Sequence, residues 1–239
     1  MLVKNFVKER EEKQRLLSEL KNIILKEDNR GLKIFKKLNI KNFDEVFKLF
    51  VNIGNTSYVS GDNYVFEYFI ESLFEMINAD PEELDKEEMI KYIHNYGIMS
   101  AQNYDIMSYS TIVKGFKENM SMREETKVIN HNLKILRELA SKAAALNFEL
   151  GVLEVLNALR DIYRKFIEDD KQVNGLYLKN TIIFLIYTAD KNRHMDLKEK
   201  ILYETGDLLG FALPRVEPEA VDVKSSQEPE EGALPKQDA

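Results

Sequence analysis

The fold is decided by residues 43–73, which read FDEVFKLFVNIGNTSYVSGDNYVFEYFIESL. Apolar residues recur at intervals of three and four along both halves of this stretch, and that spacing is typical of amphipathic helices. Between the halves lies Gly61-Asp62, in which the carboxylate can accept the first N–H groups of the helix that follows. The stretch therefore predicts a helix, a tight turn and a second helix.

The same pattern recurs three more times along the chain. In each copy, a small residue of the first helix precedes by eight residues an acid that begins the second helix. The copies are Gly54 with Asp62, Gly97 with Asp105, Ser141 with Glu149, and Thr188 with Asp196. Successive copies are offset by 43, 44 and 47 residues. A period of about 20–50 residues is typical of solenoids, because one helix pair cannot bury its apolar face without neighbours.

These features predict an all-α fold, specifically a right-handed α/α solenoid of about four helix-pair repeats with an N-terminal capping helix and a disordered C-terminal tail. We assign residues 1–41 to N-terminal capping helices, 42–213 to the helical-repeat domain and 214–239 to a disordered acidic tail. The tail holds four of the five prolines, and seven acids against three bases. Such a segment buries too little apolar surface to offset its ordering entropy.

The first residues of the chain read as a charged helix with one apolar stripe. That stripe consists of Leu17, Leu20 and Ile24, whereas residues 8–15 are polar all round. A long coiled coil would keep its a and d positions apolar through such a segment. The pattern therefore favours a capping helix, with an oligomerising helix as the alternative.

Composition limits the partners and the compartment. The chain of 239 residues has a formal net charge of −7, which argues against bulk affinity for nucleic acid or anionic membranes. It has no cysteine, which excludes disulfides and thiolate chemistry and suits the cytoplasm. The longest apolar run, residues 181–189, is far shorter than the ~20 residues of a membrane span. We expect a cytoplasmic protein with no nucleic-acid partner and no membrane span.

No residue pattern predicts catalysis, a cofactor or a metal. The three histidines (His94, His131, His194) are too far apart in sequence for a helical metal-binding pair. The acids of residues 80–88 suggest calcium, but they lack the alternating ligands and central glycine of an EF-hand loop, so helix-start chemistry is preferred. The ten glycines form no phosphate-binding loop. We therefore expect a protein that is not an enzyme.

Residues 53–62, IGNTSYVSGD, resemble the centre of a tetratricopeptide repeat, in which a Leu-Gly-x-x-Tyr-like first helix meets a Gly-Asp turn. Two features depart from that family: the period is 43 to 47 residues instead of 34, and Phe66 stands where the family prefers a small alanine. The longer helices and period are similar to HEAT-type arrays. The resemblance is thus to α/α-repeat proteins broadly, and it implies a scaffold for proteins or peptides without catalytic residues.

The function that we expect is a protein- or peptide-binding scaffold or adaptor that uses the concave surface of the array. We expect the first helices to line that surface, where their polar positions form a basic and amide-rich strip suited to an acidic segment. These positions are Lys48, Asn52 and Asn55 in repeat one, Lys91, His94 and Asn95 in repeat two, and Asn130, Lys134 and Arg137 in repeat three.

Two alternatives remain open at this point. The chain's own acidic tail is one segment that would suit the strip, and a passive tail is the other possibility. A regulatory sensor domain would instead bind a small molecule between repeats two and three, near residues 143–145. An enclosed apolar cavity would favour the sensor, whereas an open groove with polar and aromatic side chains would favour the scaffold.

Overall fold

The structure is a computed structural model that describes residues 2–25, 43–79, 85–122, 126–168 and 175–209. These residues form α-helices, with no strand among them. The helices are α1 (Leu2–Ile24), α2 (Phe43–Ser60), α3 (Asn63–Ala79), α4 (Lys86–Gln102), α5 (Ile106–Met122), α6 (Thr126–Ala145), α7 (Glu149–Glu168), α8 (Gly175–Lys191) and α9 (Met195–Leu209). The prediction of an all-α fold is confirmed for this part of the chain.

Some predicted features lie outside the described residues. They are the connection at 26–42, most of the acidic cluster at 80–84, and the acidic tail at 214–239. Inside the described part, the predicted helix start at Asp85 is confirmed: its carboxylate accepts hydrogen bonds from the backbone N–H groups of Glu87 (2.8 Å) and Glu88 (3.3 Å). A carboxylate at this position satisfies N–H groups that have no partner within the helix.

The two helices of each consecutive pair are joined by turns of the same backbone geometry. One or two positions after the first helix ends, a residue has a positive φ in every one of them: Gly61 (70°), Tyr104 (55°), Asn147 (56°) and Arg193 (62°). The N–H of the next residue then donates to the carbonyl five positions earlier, at 2.8–2.9 Å. This is a common helix C-terminal motif, because it satisfies carbonyls that the helix leaves unpaired.

That shared turn also defines which residues correspond between pairs. The carbonyl that accepts the turn's hydrogen bond belongs in every pair to a small residue with no solvent exposure: Ser57, Ser100, Ala143 and Ala189. A small side chain at this point lets neighbouring helices approach closely. These four residues are offset by 43, 43 and 46 positions, so the turns supply a more regular register than the acids do.

The predicted small residues fit this register in two copies and miss it in the other two. A Cβ added to Gly54 would lie 2.5 Å from the Phe69 ring, and one added to Gly97 would lie 2.6 Å from Leu139 Cδ2, so both glycines occupy close helix contacts. Ser141 and Thr188 are only half-buried, and their hydroxyls donate to carbonyls of their own helices. The sequence pattern treated these four residues as equivalent between copies, and that expectation is wrong.

The reason is a shift in register. In the third and fourth pairs the acid lies one and two residues inside the second helix, because Phe148 and His194 occupy the position that Asp62 and Asp105 hold earlier. The residues that correspond to Gly54 are then Ala140, which is fully buried, and Ile186, which packs against the core.

Helices pack within each consecutive pair and between neighbouring pairs. The first helices α4, α6 and α8 form one row, and the second helices α3, α5 and α7 form another. Helix α1 packs on both α2 and α3, with Leu17, Leu20 and Ile24 fully buried, so its predicted apolar stripe is confirmed. This packing is consistent with a helical array.

Several side-chain hydrogen bonds between neighbouring pairs join residues that lie 41 to 45 positions apart. They include Tyr96 with Asn55, Asn103 with Tyr58, Tyr104 with the Leu146 carbonyl, Ser110 with Glu154, Lys117 with Asp161, and Asn119 with Asn78. This separation agrees with the spacing of the sequence pattern. These contacts join corresponding elements of neighbouring pairs.

Candidate functional site

The nine residues predicted to bind a partner all lie on the first helices α2, α4 and α6. Seven of them are exposed, and His94 and Arg137 are half-buried. They do not form one continuous strip. Lys48, Asn52 and Asn55 line a groove between α2 and α4, whereas Lys134 and Arg137 line a groove bounded by α4, α6 and α8. The other four (Lys91, His94, Asn95, Asn130) line neither groove.

The groove between α2 and α4 has a volume of about 590 Å³ and an acidic lining. Lys48 is the one cation in its lining, against the three acids Asp44, Asp85 and Glu88. Burial and the charge of Glu88 raise the pKa of the Tyr92 phenol in the same wall. The expectation of a basic surface does not hold for this part of the strip, because acids from two separate segments converge there.

The groove bounded by α4, α6 and α8 has the opposite charge, and we call it the basic groove. It has a volume of about 580 Å³ and is lined by Ile98, Lys134, Arg137, Glu138, Ser141, Lys142, Ala145 and Phe184. Three cations thus face one carboxylate. Residues 134, 137, 141 and 145 share one face of α6 because three- and four-residue steps return to the same side of a helix.

Apolar side chains give the basic groove a floor. Ile98 comes from α4, Ala145 ends α6, and Phe184 projects from α8 with 36% of its surface exposed. The Arg137 guanidinium lies 4.5 Å from the centroid of the Phe184 ring, which is the geometry of a cation–π contact. This contact fixes a positive charge beside an exposed ring. The groove therefore offers both an apolar surface and positive charge to an incoming chain.

The single carboxylate of the basic groove is already engaged. Glu138 Oε1 lies 3.9 Å from Lys134 Nζ, and Glu138 Oε2 lies 3.3 Å from His94 Nε2. The His94 approach is not aligned as a hydrogen bond. Among the residues that the structure describes, no carboxylate lies within 4 Å of the cationic nitrogens of Arg137 or Lys142. These two cations carry most of the groove's uncompensated charge.

His94 does not add to that charge at neutral pH. Burial lowers the pKa of its imidazole below the ordinary value of 6.5, and this effect exceeds the opposing attraction of Glu138. Desolvation disfavours the charged form of a histidine, so the neutral ring is the stable one in the folded protein. The predicted strip is therefore less basic at its centre than its sequence suggests.

A third groove, on the second helices α3 and α5, was not predicted. It has a volume of about 420 Å³, and four glutamates line it against one lysine: Glu67, Glu71, Glu75 and Glu118 against Lys114. Burial and then the neighbouring Glu71 raise the pKa of the Glu67 carboxyl. The four-residue spacing of Glu67, Glu71 and Glu75 was a readable signal, since it places three acids on one helix face. This groove on the second helices is therefore acidic, like the groove between α2 and α4 and unlike the basic groove.

Asparagines connect this acidic groove to the interior. Asn119 donates to Asn78 at 2.6 Å, and the buried Asn132 of α6 donates to Asn119 at 2.6 Å. Asn119 and Asn132 are 4% and 1% exposed, so each amide needs these partners. The ladder is a structural link between α3, α5 and α6.

Neither a metal-binding cluster nor a membrane-spanning helix is found in residues 2–25, 43–79, 85–122, 126–168 and 175–209. A comparison of the chain with models of known protein families gave no match, and a comparison with curated protein sequences gave none either.

Proposed function

We propose that this chain is a non-catalytic scaffold or adaptor that binds an acidic segment of another protein in the basic groove. In this proposal the helix pairs form a right-handed α/α solenoid of about four repeats, of the tetratricopeptide-like or HEAT-like kind, and the protein works in the cytoplasm. The observation that carries the proposal is the lining of the groove. Positive charge at Lys134, Arg137 and Lys142 surrounds an apolar floor that is open to solvent.

The chemistry of the groove defines the kind of segment that would bind. Carboxylates suit Arg137 and Lys142 because complementary charge steers association and selects partners. Apolar side chains suit Ile98 and Phe184, since burying them supplies affinity that exposed ion pairs do not. The expected ligand is therefore a short segment in which acids and small apolar residues are interspersed.

The sensor alternative has less support. It calls for an enclosed apolar cavity near residues 143–145, whereas Ala143 and Ala144 have no exposure and are packed in the core. Ala145 lines the groove, whose rim includes the exposed side chain of Lys134. Small-molecule sites usually bury most of the ligand surface, which an open groove does not.

Selection from a random peptide library displayed on phage tests this proposal on the full chain. We expect the selected peptides to combine acids with apolar residues and to bind more weakly as salt rises. In the variant Arg137→Glu/Lys142→Glu their affinity should fall about tenfold, which corresponds to about 1.4 kcal/mol.

Lys48→Glu/Lys91→Glu is the matched control, because it makes the same change in net charge on the first helices outside the basic groove. It should change the affinity less than about twofold, or about 0.4 kcal/mol. Equal losses in the two variants, or a library that yields no acidic peptide, would contradict the proposal.

A further inference from the structure

The chain carries a segment whose chemistry matches the basic groove. Residues 216–223 read VEPEAVDV, with three acids, no base, and apolar side chains between the acids. We propose that these residues occupy the basic groove of their own molecule, so that an outside segment must displace them in order to bind. This inference rests on the proposed function, since it names the regulator of the same site.

The match is one of both charge and shape. Glu217, Glu219 and Asp222 oppose the three cations of the groove, and the valines suit a floor made by Ile98, Ala145 and Phe184. Pro218 biases its neighbour toward an extended backbone, in which residues 217 and 219 point to the same side. The more acidic run at 228–231 (EPEE) has only Pro229 as an apolar side chain and would leave most of that floor uncovered.

Two other grooves of the described structure would repel this segment. Four glutamates line the groove between α3 and α5, and three carboxylates line the groove between α2 and α4. Like charges in close approach oppose binding, whereas the basic groove attracts the same residues. The charge pattern therefore favours the basic groove over these two.

The connection is long enough for this docking. Helix α9 ends at Leu209 and runs back along α8, so its last residue lies near the beginning of that helix. Eleven extended residues from there to Ala220 span up to about 36 Å. About nine residues along α8 to Phe184 and two interaxial distances of about 8–10 Å need roughly 30–34 Å.

Because residues 216–223 are covalently linked to the helices, weak binding is enough for them to occupy the groove. A short flexible linker holds its end near the site at an effective concentration in the millimolar range. A segment with only about millimolar affinity as a free peptide would then fill the groove for about half of the time. An outside ligand binds only molecules whose groove is empty, so its apparent affinity is reduced in proportion to the empty fraction, here by about half.

Disulfide trapping in the full chain tests the inference, because the protein has no cysteine of its own. The test pair is Ser141→Cys with Ala220→Cys, which places one thiol in the basic groove and the other in the segment. The control pair is Thr111→Cys with Ala220→Cys, since Thr111 is a half-buried hydroxyl residue in the acidic groove. Under mild oxidation we expect the test pair to form its monomeric cross-link at least tenfold faster than the control pair.

Charge reversal in the segment separates docking from random encounter. Glu217→Lys/Glu219→Lys/Asp222→Lys keeps the tether unchanged, and we expect it to slow cross-linking of the test pair at least fivefold. Equal rates in test and control pairs, or no effect of charge reversal, would overturn the inference. Cross-linked dimers in place of monomers would also overturn it, because the segment would then serve a second copy of the chain.

The cross-linking experiment and the peptide selection can fail separately. Selected peptides that bind the groove while the test pair shows no preferential cross-link would remove only the self-docking inference. A preferential cross-link without any selected peptide would keep the docking and contradict the scaffold function.

Discussion

Tyr104, Asn147 and Arg193 adopt the left-handed backbone conformation that glycine adopts at Gly61. This conformation costs a residue with a side chain roughly 1–2 kcal/mol, because its Cβ crowds the following carbonyl. Tyr104 offsets that cost: its hydroxyl donates to the Leu146 carbonyl at 2.6 Å, and its ring packs edge-on against Phe148. The exposed Arg193 side chain shows no such compensation among the described contacts.

Arg193→Gly should therefore stabilise the protein. Glycine removes roughly 1–2 kcal/mol of backbone strain and gives back about 0.5–1 kcal/mol through the entropy of the unfolded chain. The expected net gain is about 0.5–1 kcal/mol in the free energy of unfolding, measured by urea denaturation. Gly61→Ala is the opposite control and should destabilise. An Arg193→Gly variant less stable than the parent would show that the side chain has a role of its own.

His94 makes stability depend on pH. Because burial lowers its pKa in the folded protein, the unfolded chain binds the proton more readily, so stability from this group is present above the unfolded pKa and is lost as pH falls. Between about pH 7.5 and about pH 5.5, His94→Gln should lose less free energy of unfolding than the parent does. The exposed His131, changed to Gln, serves as the control. Parallel pH profiles for parent and His94→Gln would contradict this explanation.

At the scale of single helices, the sequence predicted most elements but not every register. Apolar spacing located the helices because it records which face of each helix is buried. Gly54 and Gly97 were recognised because glycine within a helix marks a close contact. Ser57, Ser100, Ala143 and Ala189 were missed, since small residues are common on helices and only the turn geometry shows that these four correspond.

Gly97→Leu should destabilise the packing of α4 against α6. Its side chain would overlap Leu139, and overpacking of this kind costs about 1–3 kcal/mol in the free energy of unfolding. The double variant Gly97→Leu/Leu139→Ala should recover part of the loss, with a coupling of at least about 0.5 kcal/mol. Ser141 is half-buried and has the same place as Gly97 in the sequence pattern. Ser141→Leu should lower the free energy of unfolding clearly less than Gly97→Leu does. An unchanged melting temperature for Gly97→Leu would contradict the assigned contact.

At the scale of the whole molecule, the charge of each groove depends on side chains from several helices, so it could not be predicted from the sequence. Lys48 was predicted to belong to a basic strip, but Asp85 and Glu88 from the start of α4 line the same groove. Lys134 and Arg137 keep their basic surroundings because α8 contributes a phenylalanine, and not an acid, to their groove. Periodicity shows which elements are neighbours, whereas the charge of a groove depends on which side chains meet across them.

Methyl NMR of the full chain, titrated with a selected acidic peptide, tests most directly that the basic groove is the binding site. Each groove has its own reporter methyls: Ile98 and Ala145 in the basic groove, Val51 between α2 and α4, and Ile70 between α3 and α5. The predicted result is saturable shifts at Ile98 and Ala145, with Val51 and Ile70 unmoved. Shifts centred on Val51 or Ile70, with Ile98 and Ala145 unmoved, would contradict the assignment of the site.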